Sequence, residues 1–184
     1  MQPTEQLVQT DFFNSTERIL HIAPELCFIK RFEDVHGENY ITADLESPLA
    51  KVKLDVLNMP FDKEEFGIVF CNHVMEHVES DHQAMAEIYR VLKPGGWGII
   101  QVPLFYPLAE TTFEDKQIIS PVEREKAFGQ SDHVRLYGKD YVDRLRSVGF
   151  EANEIWLANE MPAAEVKRLA LPLDEPVFFI KKPE

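Results

Sequence analysis

FGIVFCNHVMEHVESDHQAMAEIYRVLKPGGWGIIQV, residues 66–102, is the stretch that decides the fold. Residues 67–71 are apolar on both faces, which predicts a strand in a sheet covered on both sides. Residues 80–83 form a Ser-x-x-Gln capping box before an amphipathic stretch, which predicts a helix. The Lys-Pro-Gly-Gly sequence at 93–96 ends that helix, and residues 97–102 form the next strand. The stretch therefore predicts a strand–helix–strand unit.

The same alternation continues on both sides of this unit. Further strands are predicted at 18–23, 40–43, 52–55, 154–157 and 177–181, and further helices at 5–13, 25–34 and 138–148. Alternating strands and helices followed by a closing strand pair predict a doubly wound α/β fold, with a mostly parallel sheet and an antiparallel edge. We expect a single domain over residues 1–184, with a helical N-terminal extension at 1–17. Residues 103–137 are polar and irregular, and we interpret them as a lid or substrate loop.

The charge of the chain argues against some partners. A net charge of −13 repels phosphate backbones and anionic lipid surfaces, so we expect neither a nucleic acid nor a membrane as a partner. A local basic cluster at Arg135, Lys139, Arg144 and Arg146 is interpreted as a solvated helix face. The expected partner is therefore a small-molecule substrate, and nothing in the sequence indicates an oligomeric state.

Localisation is predicted from the cysteines and the apolar runs. Cys27 and Cys71 are the only cysteines, and they form neither a CxxC pair nor a disulfide framework. No apolar run approaches the ~20 residues that a membrane span needs. The first residues have no basic start and no apolar signal core. We expect a cytoplasmic protein.

Four segments together resemble the class I, Rossmann-like family of S-adenosylmethionine-dependent methyltransferases. They are DVLNMPF at 55–61 with FGIVF at 66–70, CNHVMEH at 71–77, EIYRVLKPGG at 87–96, and LRSVGF at 145–150. The resemblance covers roughly residues 18–182. It implies a seven-stranded sheet whose last strand is antiparallel, with a ligand bound beyond the carboxyl ends of the strands.

The loop after the first strand departs from the family pattern. The family carries an acidic residue and then a glycine-rich loop, whereas this chain has HIAPELC at residues 21–27. His21 takes the place of the acid, and Ala23, Glu25 and Cys27 take the places of glycines. Glycine in such a loop permits positive φ angles and close approach of a ligand. With GQSDHVRLYG at 129–138, the chain is identified as a member of a methyltransferase type 11-like subgroup that shares both sequences.

The resemblance implies S-adenosylmethionine as the cofactor and methyl transfer as the activity. Asp44 would accept the ribose hydroxyls and Asp55 the adenine amine, while Glu25 would pair with the methionyl ammonium. Each aspartate has an alternative role, which is to cap the turn that follows its strand. Asn72 and His73 would face the methionine end and the acceptor. The full set of expected cofactor contacts is His21, Ala23, Glu25, Asp44, Leu45, Asp55, Val56, Asn72 and His73.

A general base is needed only when the acceptor carries a proton at neutral pH. His133, in the long loop, is the candidate base, with Asp132 or Tyr137 orienting it. The alternative is a surface histidine without a catalytic role. Aromatic residues of the same loop, among them Phe105, are expected either to cover the acceptor or to fix the loop onto the core.

Other site types find less support. Residues 73–77, HVMEH, match the H-x-x-E-H pattern of zinc proteases, and two histidines four apart on a helix can share a metal. This segment, however, follows a buried strand directly and precedes a separately capped helix, so we expect no metal. The loop at 21–27 lacks the glycines of a dinucleotide site, and no G-x-S-x-G sequence indicates a serine hydrolase.

One alternative is not an enzyme. The chain could keep the methyltransferase scaffold and serve as a non-catalytic binding or scaffold protein, because fold does not imply function. The loss of the loop glycines favours this alternative. Retention of Asp44, Asp55 and the Asn72-His73 pair favours the enzyme.

Overall fold

A seven-stranded sheet runs through the computed structural model, which describes residue 10 and residues 12–184. In chain order the strands are β1 (Ile19–Ile22), β2 (Tyr40–Asp44), β3 (Val52–Lys53), β4 (Phe66–Asn72), β5 (Leu92–Gln101), β6 (Phe113–Glu114), β7 (Arg135–Leu136), β8 (Glu151–Ile155) and β9 (Val177–Lys181). The large sheet has the order β3-β2-β1-β4-β5-β9-β8, and β6 and β7 form a separate antiparallel pair. Within the large sheet β9 is antiparallel to both of its neighbours, and the other pairs are parallel. The predicted fold class is confirmed.

Six α-helices surround the sheet in the described part of the chain. They are α1 (Leu26–His36), α2 (Asp81–Val91), α3 (Pro121–Phe128), α4 (Tyr141–Ser147), α5 (Leu157–Glu160) and α6 (Ala163–Leu169). Single 3-10 turns occur at Phe12–Asn14 and Gly37–Asn39. Residues 5–9 and 11 of the helix predicted at 5–13 lie outside the described residues, and residues 12 and 13 belong to the first of these 3-10 turns. No described helix has the length and apolarity needed to cross a bilayer.

The two faces of the sheet pack against different helices. On one face Phe32 of α1 packs with Ile19, Tyr40 and Ile68 of the sheet. On the other face a larger cluster joins β4 and β5 to α2 and α4. Burial of both faces explains why residues 66–71 are uniformly apolar.

The capping box predicted at 80–83 forms only in part. The Ser80 hydroxyl accepts a hydrogen bond from the Gln83 backbone N–H at 3.3 Å, as expected of a helix cap. The Gln83 side chain does not return to Ser80, because it donates to the Leu57 carbonyl at 2.8 Å. The helix therefore begins where predicted, and its first turn is also tied to the loop before β4.

The prediction that residues 103–137 are irregular was wrong. This segment contains β6, β7 and α3, and α3 begins with a complete capping box between Ser120 and Glu123. A helix of eight residues with weak amphipathic character gives little periodic signal in a sequence. The same reason explains why α5 and α6, which have four and seven residues, were not predicted.

The interpretation of the basic cluster as a solvated face was wrong for Arg135 and Arg144. Arg135 is only 2% exposed, and its guanidinium donates to the carbonyls of Met75, Val78 (2.7 Å) and Glu79 (3.2 Å). These three carbonyls belong to the turn between β4 and α2, which leaves them without partners inside a helix or sheet.

Arg144 pairs with a buried carboxylate. It forms two hydrogen bonds of 2.9 Å with the carboxylate of Asp81, the first residue of α2. The Tyr137 hydroxyl donates to the same carboxylate at 3.0 Å. These contacts hold the segment 129–144 against the turn that follows β4.

We predict that Arg135→Met lowers the free energy of unfolding by about 3 kcal/mol or more, because it removes a buried guanidinium that donates to the Val78 and Glu79 carbonyls and pairs with Glu114. Urea unfolding followed by circular dichroism measures this change. The control is Arg168→Met, which removes an exposed ion pair with Glu165 and should cost less than about 1 kcal/mol. Equal effects of the two substitutions would contradict the structural role of Arg135.

Candidate functional site

The Glu25 carboxylate joins the ends of β1 and β4. Glu25 directly precedes α1, but its side chain makes no helix-cap hydrogen bond. One carboxylate oxygen accepts from Asn72 Nδ2 at 2.7 Å, and the other lies 2.8 Å from His21 Nε2. His21 Nδ1 in turn lies 2.7 Å from the Tyr40 hydroxyl of β2. Three neighbouring strands, β1, β2 and β4, therefore contribute to one hydrogen-bonded chain that leads from Tyr40 to Glu25 and Asn72.

These contacts keep Glu25 ionised. Burial alone raises the pKa of a carboxyl group, but here the hydrogen bonds from His21 and Asn72 outweigh it and lower the pKa of Glu25 from 4.5 to about 2. His21, at 1% exposed, uses both ring nitrogens inside the protein, so it orients Glu25, and its own contact with a cofactor stays a prediction. The negative charge of Glu25 is consequently fixed in place at neutral pH.

A cavity of about 290 Å³ opens beside this carboxylate. It lies at the carboxyl ends of β4 and β5, where the antiparallel β9 begins. Its size is close to the lower end of the range of small-molecule pockets, roughly 300–1,000 Å³. The lining residues are Glu25, Asn72, His73, Ile99, Gln101, Leu157, Leu171, Pro172, Glu175, Pro176 and Val177. The cavity thus combines an apolar wall with one fixed carboxylate and a few polar groups.

Two residues at this edge have left-handed backbone conformations. Ala23 has φ 51° and His73 has φ 54°, a region that glycine adopts easily and other residues adopt at a cost. Ala23 stands where the family pattern has a glycine, so the loop keeps a glycine-type conformation without the glycine. Strain of this kind is concentrated at functional sites, because the surrounding structure must hold it.

Three of the predicted cofactor contacts, Glu25, Asn72 and His73, line the cavity together. Asp44 and Asp55 do not line it. Asp44 Oδ1 accepts from the backbone N–H groups of Glu46 (2.8 Å) and Ser47 (2.7 Å), and Asp55 Oδ1 accepts from that of Leu57 (2.9 Å). Each aspartate therefore caps a turn with one oxygen, and its contact with a nucleoside stays a prediction.

Two further predicted contacts, Leu45 and Val56, lie in different surroundings. Leu45 follows Asp44 on the surface and is 51% exposed. Val56 is buried in the larger apolar cluster, on the face of the sheet that packs against α2 and α4. Contact of either residue with a cofactor stays a prediction.

His133 is buried and does not line the cavity. It is 1% exposed, and burial together with the nearby His77 lowers its pKa. The prediction that Asp132 or Tyr137 orients it was wrong. Asp132 lies 3.2 Å from His77 Nδ1, and the Tyr137 hydroxyl donates to Met75 and Asp81.

Sequence reasoning missed two parts of the cavity. Gln101 ends β5, and its amide donates to the Pro176 carbonyl at 2.8 Å and accepts from the Phe178 N–H at 3.3 Å. The rule that selects residues at the carboxyl ends of parallel strands would have found it. The wall formed by Leu157 and residues 171–177 carries no such signal, because it lies between β8 and β9 and is brought to the site only by the fold.

Comparison with known proteins gives a family match and several curated relatives. Residues 25–100 match a family described as a methyltransferase domain. A sterol 24-C-methyltransferase from Kluyveromyces lactis is 31% identical over 112 residues, which are 60% of this chain and 29% of that protein. The chain thus spans less than a third of the length of this relative.

Solved structures share the fold at lower identity. An S-adenosylmethionine-dependent methyltransferase from Mesorhizobium loti has a TM-score of 0.57 at 16% identity, with 97% of this chain and 94% of that chain covered. The 4+2 cyclase SpnF has a TM-score of 0.56 at 14% identity, with 92% and 76% covered. The same fold is therefore found in methyltransferases and in a cyclase.

We predict that Ala23→Gly raises the free energy of unfolding by roughly 0.5–1 kcal/mol. Relief of a left-handed conformation, about 1–2 kcal/mol, should exceed the extra unfolded-state entropy of glycine, about 0.4–1 kcal/mol. Urea unfolding measures the change. Ala164→Gly, at an exposed position in α6, is the control and should lower stability by up to about 1 kcal/mol. A loss of stability in Ala23→Gly as large as in this control would contradict the interpretation.

The lowered pKa of Glu25 predicts a pH-dependent contribution to stability. Above pH 4.5 the carboxylate is ionised in both the folded and unfolded chain, and its contribution is fully present. As the pH falls from 4.5 to about 2, the unfolded chain takes up the proton first, and the contribution is lost. The difference in unfolding free energy between the wild type and Glu25→Gln should therefore be largest near neutral pH and shrink as the pH approaches 2.

Urea unfolding of both proteins at a series of pH values tests this. Glu38→Gln, on the exposed surface, is the control and should change stability little at any pH. A difference for Glu25→Gln that stays constant from pH 7 to pH 3 would show that the ionised carboxylate does not contribute as described.

Proposed function

We propose that this chain is a class I methyltransferase, which binds S-adenosylmethionine and transfers its methyl group to a small-molecule acceptor. The observation that carries the proposal is the fixed, ionised carboxylate of Glu25 at the carboxyl edge of the sheet, in a chain whose residues 25–100 match the methyltransferase domain. The fold, a seven-stranded sheet with an antiparallel last strand, is the one that class I methyltransferases are expected to have.

The residues at this edge fit the methionyl arm of the cofactor. Glu25 lines the cavity with a charge opposite to that of the methionyl ammonium, so it would bind this group directly. His21 and Asn72 would hold the carboxylate in position. Asn72 also lines the cavity, whereas His21 is buried behind Glu25 and does not. The left-handed turn at Ala23 lets the backbone of this loop follow the course that glycine gives it in the family.

The nucleoside would lie towards β2 and β3, outside the 290 Å³ cavity. Asp44 uses Oδ1 for the backbone of residues 46 and 47, and its second oxygen would accept from the ribose hydroxyls. Asp55 would accept from the adenine amine, with Val56 beside the ring and Leu45 on the surface next to the ribose.

Glu25, Asn72 and His73 would hold the cofactor, which when bound would supply a methyl group activated by its sulfonium. The protein must align the acceptor with this methyl group and exclude water. Where the acceptor carries a proton, His73 is better placed than His133 to remove it. His73 lines the cavity with its side chain 52% exposed, and its hydrogen bond with Glu76 raises its pKa.

The segment 103–137 would cover the acceptor. It carries Phe105 and Tyr106, which are 40% and 51% exposed, and the Tyr106 hydroxyl donates to the carbonyl of Asp174 at 2.6 Å. Residue 174 directly precedes Glu175 of the cavity wall, so this contact brings the segment close to the cavity.

The absence of any cysteine pairing and the exposed Cys27 suit a reducing compartment, which favours the cytoplasm.

A non-catalytic binding or scaffold protein is the second candidate. One observation favours it, which is that residues 21–27 contain no glycine. The cyclase with the same fold illustrates that this scaffold serves chemistry other than methyl transfer. Cofactor binding separates this candidate from the enzyme.

We predict that S-adenosylhomocysteine binds the wild type saturably in calorimetric titration. Glu25→Ala should weaken this binding at least tenfold, about 1.4 kcal/mol, because a charged hydrogen-bond partner of the ammonium is lost. It should leave the binding of adenosine unchanged, since adenosine has no ammonium. Asp44→Ala should weaken both ligands at least tenfold, because both contain the ribose.

Glu38→Ala is the matched control, since it removes a carboxylate from the exposed surface. Absence of saturable binding to the wild type would overturn the proposed enzyme in favour of the scaffold. Binding that is equally strong in the wild type and in Glu25→Ala would overturn the role given to Glu25.

A further inference from the structure

We propose that Glu76, His77 and His133 form a binding site for one divalent transition metal ion. One ligating atom from each of the three residues lies within 4.8 Å of the other two. Glu76 and His77 belong to the turn after β4, and His133 comes from the distant segment before β7. The backbone N–H of Val134 donates to the Glu76 carbonyl at 2.9 Å, which brings the two segments together.

Two atoms of this cluster are buried without a hydrogen-bond partner. Glu76 Oε2 and His133 Nδ1 are both shielded from solvent, and each of these residues is only 1% exposed. An unsatisfied buried polar atom costs about 1–3 kcal/mol, and native proteins contain few of them. A metal ion that accepts a lone pair from both atoms would remove this cost.

The remaining ring nitrogen of His77 is held as in known metal sites. His77 Nδ1 lies 3.2 Å from Asp132 Oδ2, while His77 Nε2 faces Glu76 Oε1 at 4.0 Å. The His133 ring interacts with the backbone of Phe128. Metal-binding histidines almost always donate their other ring N–H to a carboxylate or a backbone carbonyl.

The donor set indicates the class of metal. Two imidazoles and one carboxylate suit Zn²⁺, Mn²⁺ or Fe²⁺, whereas Mg²⁺ and Ca²⁺ prefer oxygen donors. With metal–nitrogen distances of about 2.0–2.1 Å, tetrahedral ligands stand about 3.4 Å apart. The 4.0 Å between Glu76 Oε1 and His77 Nε2 is somewhat wider, and the partly exposed ring of His77 can close this gap.

The proposed metal site lies next to the acceptor cavity, because His73 contacts both. His73 lines the cavity, and its Nδ1 lies 3.5 Å from Glu76 Oε1. Three protein ligands leave further coordination positions for water or for an oxygen atom of another molecule. Metal binding itself does not depend on the proposed methyltransferase activity.

The test is a titration of the full chain with Zn²⁺ after treatment with a chelator, in the absence of S-adenosylhomocysteine. We expect one ion per chain in calorimetry, and an absorption band of bound ion when Co²⁺ replaces Zn²⁺. His77→Ala and His133→Ala should each weaken binding at least tenfold. Asp132→Asn, which changes an exposed residue that is not a ligand, should weaken it by roughly tenfold.

His82→Ala is the control, because His82 is exposed and lies away from the cluster, where it contacts Ser147. It should bind Zn²⁺ like the wild type. Circular dichroism identifies any variant that fails to fold, and His77→Ala, at a partly exposed position, keeps the test valid if His133→Ala unfolds. The proposal is overturned if the wild type shows no saturable binding, or if folded His77→Ala and Asp132→Asn both bind Zn²⁺ as tightly as the wild type.

Discussion

The carboxylate of Glu25, held between His21 and Asn72, is the interaction on which the candidate site depends. The loop after β1 therefore presents a fixed negative charge at a position where the sequence pattern of class I methyltransferases has a glycine. The cost of burying that charge is offset by two hydrogen bonds, which lower the pKa of Glu25 to about 2. Because its partners belong to β1 and β4, the charge stays at the carboxyl edge of the sheet only while these strands remain in register.

A second buried charge, the Arg135 guanidinium, stabilises the turn that follows β4 at this edge of the sheet. The Arg135 guanidinium satisfies carbonyls of Met75, Val78 and Glu79, which the turn between β4 and α2 leaves without partners. The same contacts bring His133 beside Glu76 and His77. One strand, β4, therefore carries both features: Asn72 at its end supports Glu25, and the turn after it holds the histidine cluster. The site is built from local sequence at β1 and β4 and from one distant segment that Arg135 attaches to them.

Sequence was sufficient for the parts of the fold that local signals define. The strand–helix–strand unit at 66–102 follows from uniform apolarity, a serine cap and a Lys-Pro-Gly-Gly stop, and residues at the ends of parallel strands could be placed at one edge. It was not sufficient for Arg135, whose burial depends on three carbonyls of a turn sixty residues earlier in the chain. The cavity wall at 171–177 was missed for a related reason, since short helices without periodicity precede it and only tertiary packing brings it to Gln101.

The central claim is that Glu25 replaces the glycine-rich loop as the group that holds the methionyl arm of the cofactor. A crystal structure of the chain with S-adenosylhomocysteine tests this most directly. We predict that the ligand's amino group lies about 3 Å from the Glu25 carboxylate, a normal length for a charged hydrogen bond, with the ribose towards Asp44. A ligand bound away from the carboxyl edge of the sheet, or an amino group held by other residues while Glu25 contacts only His21 and Asn72, would contradict it.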